Sequence, residues 1–443
     1  MTPFDPIARD SNRTDAFWMP FTPQRQYRQR PISIASASGM SYFTEDGCEL
    51  LDTMAGLWCV NAGHAQPKIV EAIRDMAGRL DYVSSFKMSH PGAEATAQAL
   101  TNLAPASIDH AFFTGSGSEA VETALKIARG YHQARGDGRR TKLIGRQKSY
   151  HGVNFGGLSV SGIAPHKRAF GPLLGDVAHL PLPYDERMRF SIGQPECGAE
   201  YADWLERLIA IHDASTIAAV IVEPITGSGG IYLPPVGYLE KLREICDRSG
   251  ILLIFDEVIT GFGRLGEYFA SQYFGVTPDI ITCAKGLTNG AVPMGAVLVR
   301  DTVFDAFMHG PAETIELFHG YTYSAHPLAC AAALATFAVH QELRINDHVR
   351  EIAPIWRNAV HALKDAPHVA DIRTAGILSA IELTPRPDAP GARAADCLDL
   401  CLAAGLLVRT SGDTFLLSPP LIIAEPAIGR IIDTLSAALS EVA

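Results

Sequence analysis

Lys285 follows the apolar run Ile280–Cys283 and precedes a glycine, within Thr282-Cys283-Ala284-Lys285-Gly286. An amine at the end of a buried strand stands where α/β sheets bind ligands, and loss of water around it lowers its pKa toward nucleophilic use. Alone, such a lysine would usually be a solvated loop residue. Asp256 changes that balance, because it ends the run Ile251-Leu252-Leu253-Ile254-Phe255, and a carboxylate buried at a strand end needs a cation beside it. By itself Asp256 reads equally well as a helix cap or a structural salt bridge. The third piece is Thr114-Gly115-Ser116-Gly117-Ser118-Glu119. Its small residues let the backbone approach a ligand, and a helix starting there favours a phosphate, with the Ser118 hydroxyl as a further donor. Ser116 also fits a plain N-cap, with Glu119 completing a capping box.

A strand-end amine, a strand-end acid and a phosphate cradle are together what pyridoxal 5'-phosphate (PLP) asks of a protein. The lysine joins the cofactor, and the acid keeps the pyridine nitrogen protonated so that the ring stays an electron sink. The cradle lacks a Walker lysine and Gly-x-Gly-x-x-Gly spacing, which disfavours nucleoside triphosphates and dinucleotides. No metal is expected: the eight cysteines are scattered without a Cys-x-x-Cys pair of zinc-like spacing, and they suit reduced thiols in a cytoplasmic protein.

The elements that must carry these groups alternate. Apolar runs at His110–Thr114, Thr141–Gly145, Ala218–Val222, Ile251–Phe255, Ile280–Cys283 and Ala296–Val299 predict strands of a largely parallel sheet covered on both faces. Val121, Ala124, Leu125, Ala128 and Tyr131 form one helical stripe directly after the glycine-serine loop, and a second helix is expected over Leu239–Arg248, stopped by Gly250. Residues 1–55 read as an irregular arm and part of a small domain, with a strand at Met40–Phe43. Residues 56–326 read as a large cofactor-binding domain, and 327–443 as a small α+β domain. The last section opens with an alanine-rich helix, continues through strands at Ile377–Leu383, Leu406–Arg409 and Thr414–Leu417, and closes with a helix over Ile428–Leu439.

A balance of 37 basic against 48 acidic residues, net −11, disfavours nucleic acid or an anionic membrane as the main partner. Met1–Asp10 holds prolines and charges where a secretion signal needs an apolar stretch, and no run reaches the roughly 18 apolar residues of a membrane helix. The expectation is a soluble, cytoplasmic protein.

The run Ile254-Phe255-Asp256-Glu257-Val258-Ile259-Thr260-Gly261-Phe262-Gly263-Arg264, followed by Ala284-Lys285-Gly286, resembles the signature of class III aminotransferases of fold type I. Gly56-Leu57-Trp58, Ser149-Tyr150-His151-Gly152, His319-Gly320-Tyr321-Thr322-Tyr323-Ser324, and Arg409 ahead of Gly412-Asp413 extend the likeness over nearly the whole chain. They are most similar to the ω-amino acid:pyruvate and β-alanine:pyruvate members.

The resemblance implies a seven-stranded-type sheet with a smaller α+β domain. It implies that Lys285 holds PLP covalently, that Asp256 pairs with the pyridine nitrogen, and that Ser116, Gly117 and Ser118 surround the phosphate. Tyr150 would stack on the ring, Val258 would pack on its other face, and His151 and Glu223 would support the cofactor. Thr322 would reach the phosphate of a neighbouring subunit, which implies a homodimer with shared sites, or a tetramer. Phe21, Trp58, Tyr150, Ser228, Ile259 and Arg409 would line the substrate pocket, with Phe86 coming from the partner. Arg409 would grip a carboxylate by paired hydrogen bonds.

Two departures stand out. Gly115 replaces an asparagine of many relatives. Ser228 occupies a position where the 2-oxoglutarate-using γ-aminobutyrate and ornithine enzymes carry a glutamate that neutralises the arginine, so pyruvate is the expected amino acceptor. The implied activity is transfer of an amino group from an ω-amino acid or amine to pyruvate. Alternatives are transfer from γ-aminobutyrate, taurine or a polyamine, and more remotely a mutase, racemase or decarboxylase. A non-catalytic PLP-fold binding module is disfavoured by the intact Lys285, Asp256 and Arg409.

Overall fold

In a computed structural model, residues 16–29 and 31–442 are described, so the first fifteen residues of the expected arm lie outside the described residues. Near the start of the chain, β1 (Ile34–Ser38), β2 (Ser41–Thr44) and β3 (Glu49–Asp52) form an antiparallel meander, turned at Gly39 and at Gly47, both in the left-handed region. The large sheet follows with β4 (His110–Thr114), β5 (Lys142–Arg146), β6 (Val177–Leu180), β7 (Ile217–Val222), β8 (Leu252–Asp256), β9 (Ile280–Cys283) and β10 (Gly295–Val299). Its order is β4-β10-β9-β8-β7-β5-β6, and β10 alone runs antiparallel to its neighbours. The expected α/β sheet is therefore present, and its six predicted strands fall within a residue or so of the observed bounds. β6 was not predicted, because Val-Ala-His-Leu is short, half-exposed and sits at the sheet edge with no apolar run to mark it.

Alternation along the central strands puts successive side chains into different cores. Ile254 of β8 and Ile221 of β7 pack under Val121, Ala124 and Ala128 of the helix Gly117–Ala134. Leu253 and Phe255 point the other way, onto Leu239 and Leu242 of the helix Tyr238–Ser249. Continuing the alternation, Asp256 emerges on the side where the helix Gly117–Ala134 begins. Glu257 faces away and is spent on structure: its buried carboxylate accepts from the Ala270 and Ser271 N–H groups and from the Thr260 hydroxyl.

The helix Pro327–Glu342 is apolar on every side, as a doubly packed helix must be. Ala329, Cys330 and Phe337 join Leu100, Ile281 and Leu298, whereas Ala332 and Val339 join a second core with Trp356, Ile372, Ile381 and Phe415. That second core lies against an antiparallel sheet made of β11 (Val369–Ala375), β12 (Leu378–Leu383), β14 (Arg409–Ser411) and β15 (Thr414–Leu417), in the order β11-β12-β15-β14. β11 escaped prediction because Asp371 and Arg373 make it look solvated. Both are buried, paired with each other, with the Arg373 guanidinium 4.3 Å from the Tyr232 ring centre.

The single strand expected over Leu406–Arg409 is two. β13 (Leu406–Leu407) pairs in parallel with β3, and after Val408 the chain turns into β14, which pairs with β15. Sequence pattern registers an apolar run but not a change of partner within it. Among the described residues, no helix is long and apolar enough to cross a membrane.

Candidate active site

Three strand ends and one helix start meet at a cavity of about 140 Å3 lined by Gly117, Ser118, Tyr150, Asp256, Val258 and Lys285, among others. Lys285 opens a short 3-10 turn and holds φ at +49°, a left-handed backbone that L-residues seldom adopt away from functional sites. Its Nζ lies 5.2 Å from the centre of the Trp58 ring. Burial, the largest influence, pulls the ammonium pKa below its ordinary value, against the opposing pull of Cys59, Asp256 and Glu223.

Asp256 is almost wholly buried, and each oxygen has a donor. Val258 N–H donates to Oδ1 at 3.1 Å, and His151 Nδ1–H donates to Oδ2 at 2.7 Å. This tautomer leaves His151 Nε2 buried without a partner among the described residues. Glu223 lies deeper. Its carboxylate accepts from Tyr150 N–H and from Gly227 N–H, each at 2.8 Å, while burial above all, and then Asp256, push its pKa up.

At the helix start, Ser116 Oγ accepts from Glu119 N–H at 3.2 Å, and Glu119 Oε2 takes the Gly115 N–H at 2.7 Å. The capping box thus closes on Gly115 and not on the cap residue itself, which gives the departure at Gly115 a local hydrogen bond of its own. Gly117 packs closely against Val258, since a Cβ there would stand 2.9 Å from Val258 Cγ1. Gly152, at φ +90°, brings its backbone so near Ser118 that a Cβ would fall 2.5 Å from the hydroxyl oxygen.

These features fit PLP. A helix N-terminus with a side-chain-free first residue suits a phosphate, a buried acid suits a pyridinium, and an amine of lowered pKa suits an aldehyde. A larger cavity of about 490 Å3, at the β4 edge between Gln98, Phe304, Phe307 and Ile315, has no lysine or arginine in its wall. Size alone therefore misidentifies the site.

The expected residues divide by position. Ser116, Gly117, Ser118, Tyr150, His151, Glu223, Asp256, Val258, Ile259 and Lys285 line the one cavity. Trp58 and Arg409 are joined to it through the indole ring, which lies 5.2 Å from Lys285 Nζ and 5.4 Å from Arg409 Cζ. Phe21 stands one ring further out, 5.5 Å from His166, which is itself edge-on to Tyr150 at 5.6 Å. Ser228 is half-buried in the hairpin tied by Thr226 and Tyr232, outside the cavity wall.

Thr322 and Phe86 do not enter their own chain's cavity. Both are exposed on a neighbouring face, where Tyr82 Oη donates to the Thr322 carbonyl and Phe86 packs at Gly320. Sequence reasoning missed Gly152, although its motif was noted, and treated Val121 only as core. It also missed His166, a lone histidine on a short exposed turn that carries no sequence signal.

A family model for class III aminotransferases matches residues 22–439. An ω-aminotransferase of Caulobacter vibrioides is 54% identical over 98% of this chain and 99% of its own. A β-alanine–pyruvate aminotransferase of Pseudomonas aeruginosa is 44% identical over 99% of this chain and 98% of its own. Among solved structures, an amine transaminase from an uncultivated Pseudomonas species in its PLP-bound form superposes with a TM-score of 0.91. It is 35% identical, with 96% of this chain and 99% of that one covered. Likeness on this scale runs through every element that builds the cavity, and by it the chain belongs to the class III aminotransferases.

Proposed function

We propose that this protein is a PLP-dependent ω-amino acid:pyruvate aminotransferase, which moves the amino group of a β-alanine-like amino acid or amine to pyruvate and yields an aldehyde or ketone and L-alanine. The observation that carries the reading is the convergence of Lys285, Asp256 and the Gly117–Ser118 helix start on one cavity. The name of the Pseudomonas aeruginosa relative gives β-alanine and pyruvate, which supports the same donor and acceptor.

Bound PLP supplies an aldehyde that exchanges amines and a ring that draws electrons from the neighbouring carbon. Lys285, with its pKa lowered by burial, would hold the cofactor covalently, and its free amine would serve as the general base and acid that moves the proton of the donor carbon. Asp256, oriented by His151 and the Val258 amide, would hold the ring nitrogen. Gly117 and Ser118, at the helix start beside the Ser116 cap, would hold the phosphate, and Tyr150 and Val258 would hold the ring. Glu223 holds the Tyr150 backbone. Trp58, Ile259 and Phe21 bound the substrate space, and Arg409 grips the carboxylate of pyruvate or β-alanine. Ser228, which leaves that arginine un-neutralised, favours pyruvate over 2-oxoglutarate.

The working unit in this reading is a cytoplasmic homodimer, each chain divided at 1–55, 56–326 and 327–443. Support for shared sites comes from the exposed apolar side chains of Phe86, which packs at Gly320, and of Tyr323 beside Thr322, surface of the kind that marks an interface. There Thr322 and Phe86 complete the partner's cavity.

Purified protein given PLP, an amine panel and pyruvate is expected to form alanine in step with amine loss and to follow ping-pong kinetics. Lys285→Ala is expected to lose the absorbance of the bound cofactor and nearly all turnover. Amine loss without alanine, or a fully active Lys285→Ala, refutes the reading.

A further inference from the structure

Asp52 lies outside the cavity, is completely buried, and collects three donors. The Met54 N–H donates to Oδ1 at 2.8 Å, the Gly56 N–H to Oδ2 at 2.5 Å, and His64 Nε2–H to Oδ2 at 2.8 Å. Two of those donors belong to the backbone of the turn that ends in Trp58. That turn is unusual: Ala55 at φ +47°, Gly56 at φ +70° and Trp58 at φ +59° are all left-handed, and two of the three carry side chains. L-residues hold such a conformation only where surrounding bonds over-determine it. Here the carboxylate supplies those bonds from inside the curve.

The anchor of Asp52 is equally specific. It is paired in register with Leu407 across β3 and β13, and the Thr53 N–H and hydroxyl both donate to the Leu407 carbonyl. Leu407 is two residues from Arg409. One strand pairing therefore sets the origin of the Trp58 turn against the origin of Arg409, whose guanidinium carbon comes to rest 5.4 Å from the indole centre. The same indole lies 5.2 Å from Lys285 Nζ. Trp58 is thereby a shared wall for the amine that reacts and the cation that grips, and its placement depends on a turn that Asp52 holds.

We infer that Asp52 is a positioning residue for substrate recognition, acting through the strained Ala55–Trp58 turn to hold the Trp58 ring between Lys285 and Arg409, with His64 as the donor that keeps its buried carboxylate satisfied. The inference rests on Trp58 bounding the substrate space. It is tested by a double-mutant cycle in the PLP-loaded enzyme, with Asp52→Asn, Trp58→Leu and the pair assayed for kcat/KM with β-alanine and pyruvate.

An amide at position 52 keeps the shape but loses an acceptor and turns a donor toward N–H groups. Asp52→Asn is expected to lower kcat/KM by about tenfold when Trp58 is present and by less than about twofold when it is leucine. Cofactor occupancy at saturating PLP should stay at the wild-type level. An equal loss in both backgrounds overturns the inference, because a merely structural role would persist without the indole. Unchanged kinetics in Trp58→Leu alone overturns it as well. Failure of the wild-type enzyme to make alanine from pyruvate is a separate result that removes the proposed activity. Should Asp52→Asn fold poorly, His64→Gln leaves the carboxylate and both turn bonds in place, and the same Trp58-dependent loss, smaller in size, is expected.

Discussion

In the proposed site Arg409 and Lys285 are cations whose surroundings suit them to different tasks. Lys285 is enclosed, and removal of water lowers its pKa toward the free amine that nucleophilic use requires. Arg409 remains exposed on the single chain, at the sheet edge formed by β14, where a planar fork can meet an incoming carboxylate. Arg409→Ala is expected to raise KM for pyruvate and β-alanine by about 10- to 100-fold, the worth of a charge-assisted hydrogen-bonded pair. An aryl-alkyl amine donor without a carboxylate should be far less affected in its own half-reaction, followed as single-turnover amination of the cofactor. Comparable losses for all three substrates would remove the carboxylate role.

The helix Gly117–Ala134 joins fold to site, since its stripe of Val121, Ala124 and Ala128 seats it on the sheet while its first residues face the cavity. The Ser116 hydroxyl caps the helix, and Ser116 itself lines the cavity. Ser116→Ala should cost about 1 kcal/mol in denaturant unfolding and weaken PLP binding, because a frayed first turn no longer presents Gly117 and Ser118 as a fixed pair of donors. An unchanged unfolding midpoint would show that the Glu119 to Gly115 half of the box suffices. Six of the seven strands of the large sheet were legible because their runs are mostly apolar. β11 was not, because its charges are cancelled once the hairpin and its surroundings close: Arg373 donates to Asp371 and to Glu382 of β12, and Tyr184 Oη and the Phe190 N–H, distant in sequence, donate to Asp371.

For the molecule as a whole, the helix Pro327–Glu342 holds two cores together and carries the cost of one misfit. His340 is buried there with neither ring nitrogen hydrogen-bonded among the described residues, and burial foremost, then Arg264, lower its pKa from 6.5 to about 4. A histidine whose folded pKa is depressed gives stability that is intact above its unfolded value and is lost as pH falls through the folded one. Between pH 6.5 and about 4 the unfolded chain takes up a proton that the fold resists, a penalty of up to about 3 kcal/mol. His340→Leu should therefore flatten the fall of thermal stability across that window while leaving stability at neutral pH similar or higher. Parallel acid curves for both proteins would count against it.

The amino-acid sequence by itself determined the sheet, the three groups that meet in the cavity and the family they resemble. Each of those is written in contiguous residues, as an apolar run with a charge at its end or small residues before a helical stripe. Tertiary structure alone decided which neighbours those groups have. His151 on Asp256, the indole between Lys285 and Arg409, the switch of sheets at Val408 and the fully buried Asp52 all depend on segments far apart in the chain. Local pattern records how a residue sits relative to its own element, whereas burial and pairing across elements arise only when the cores close and water leaves.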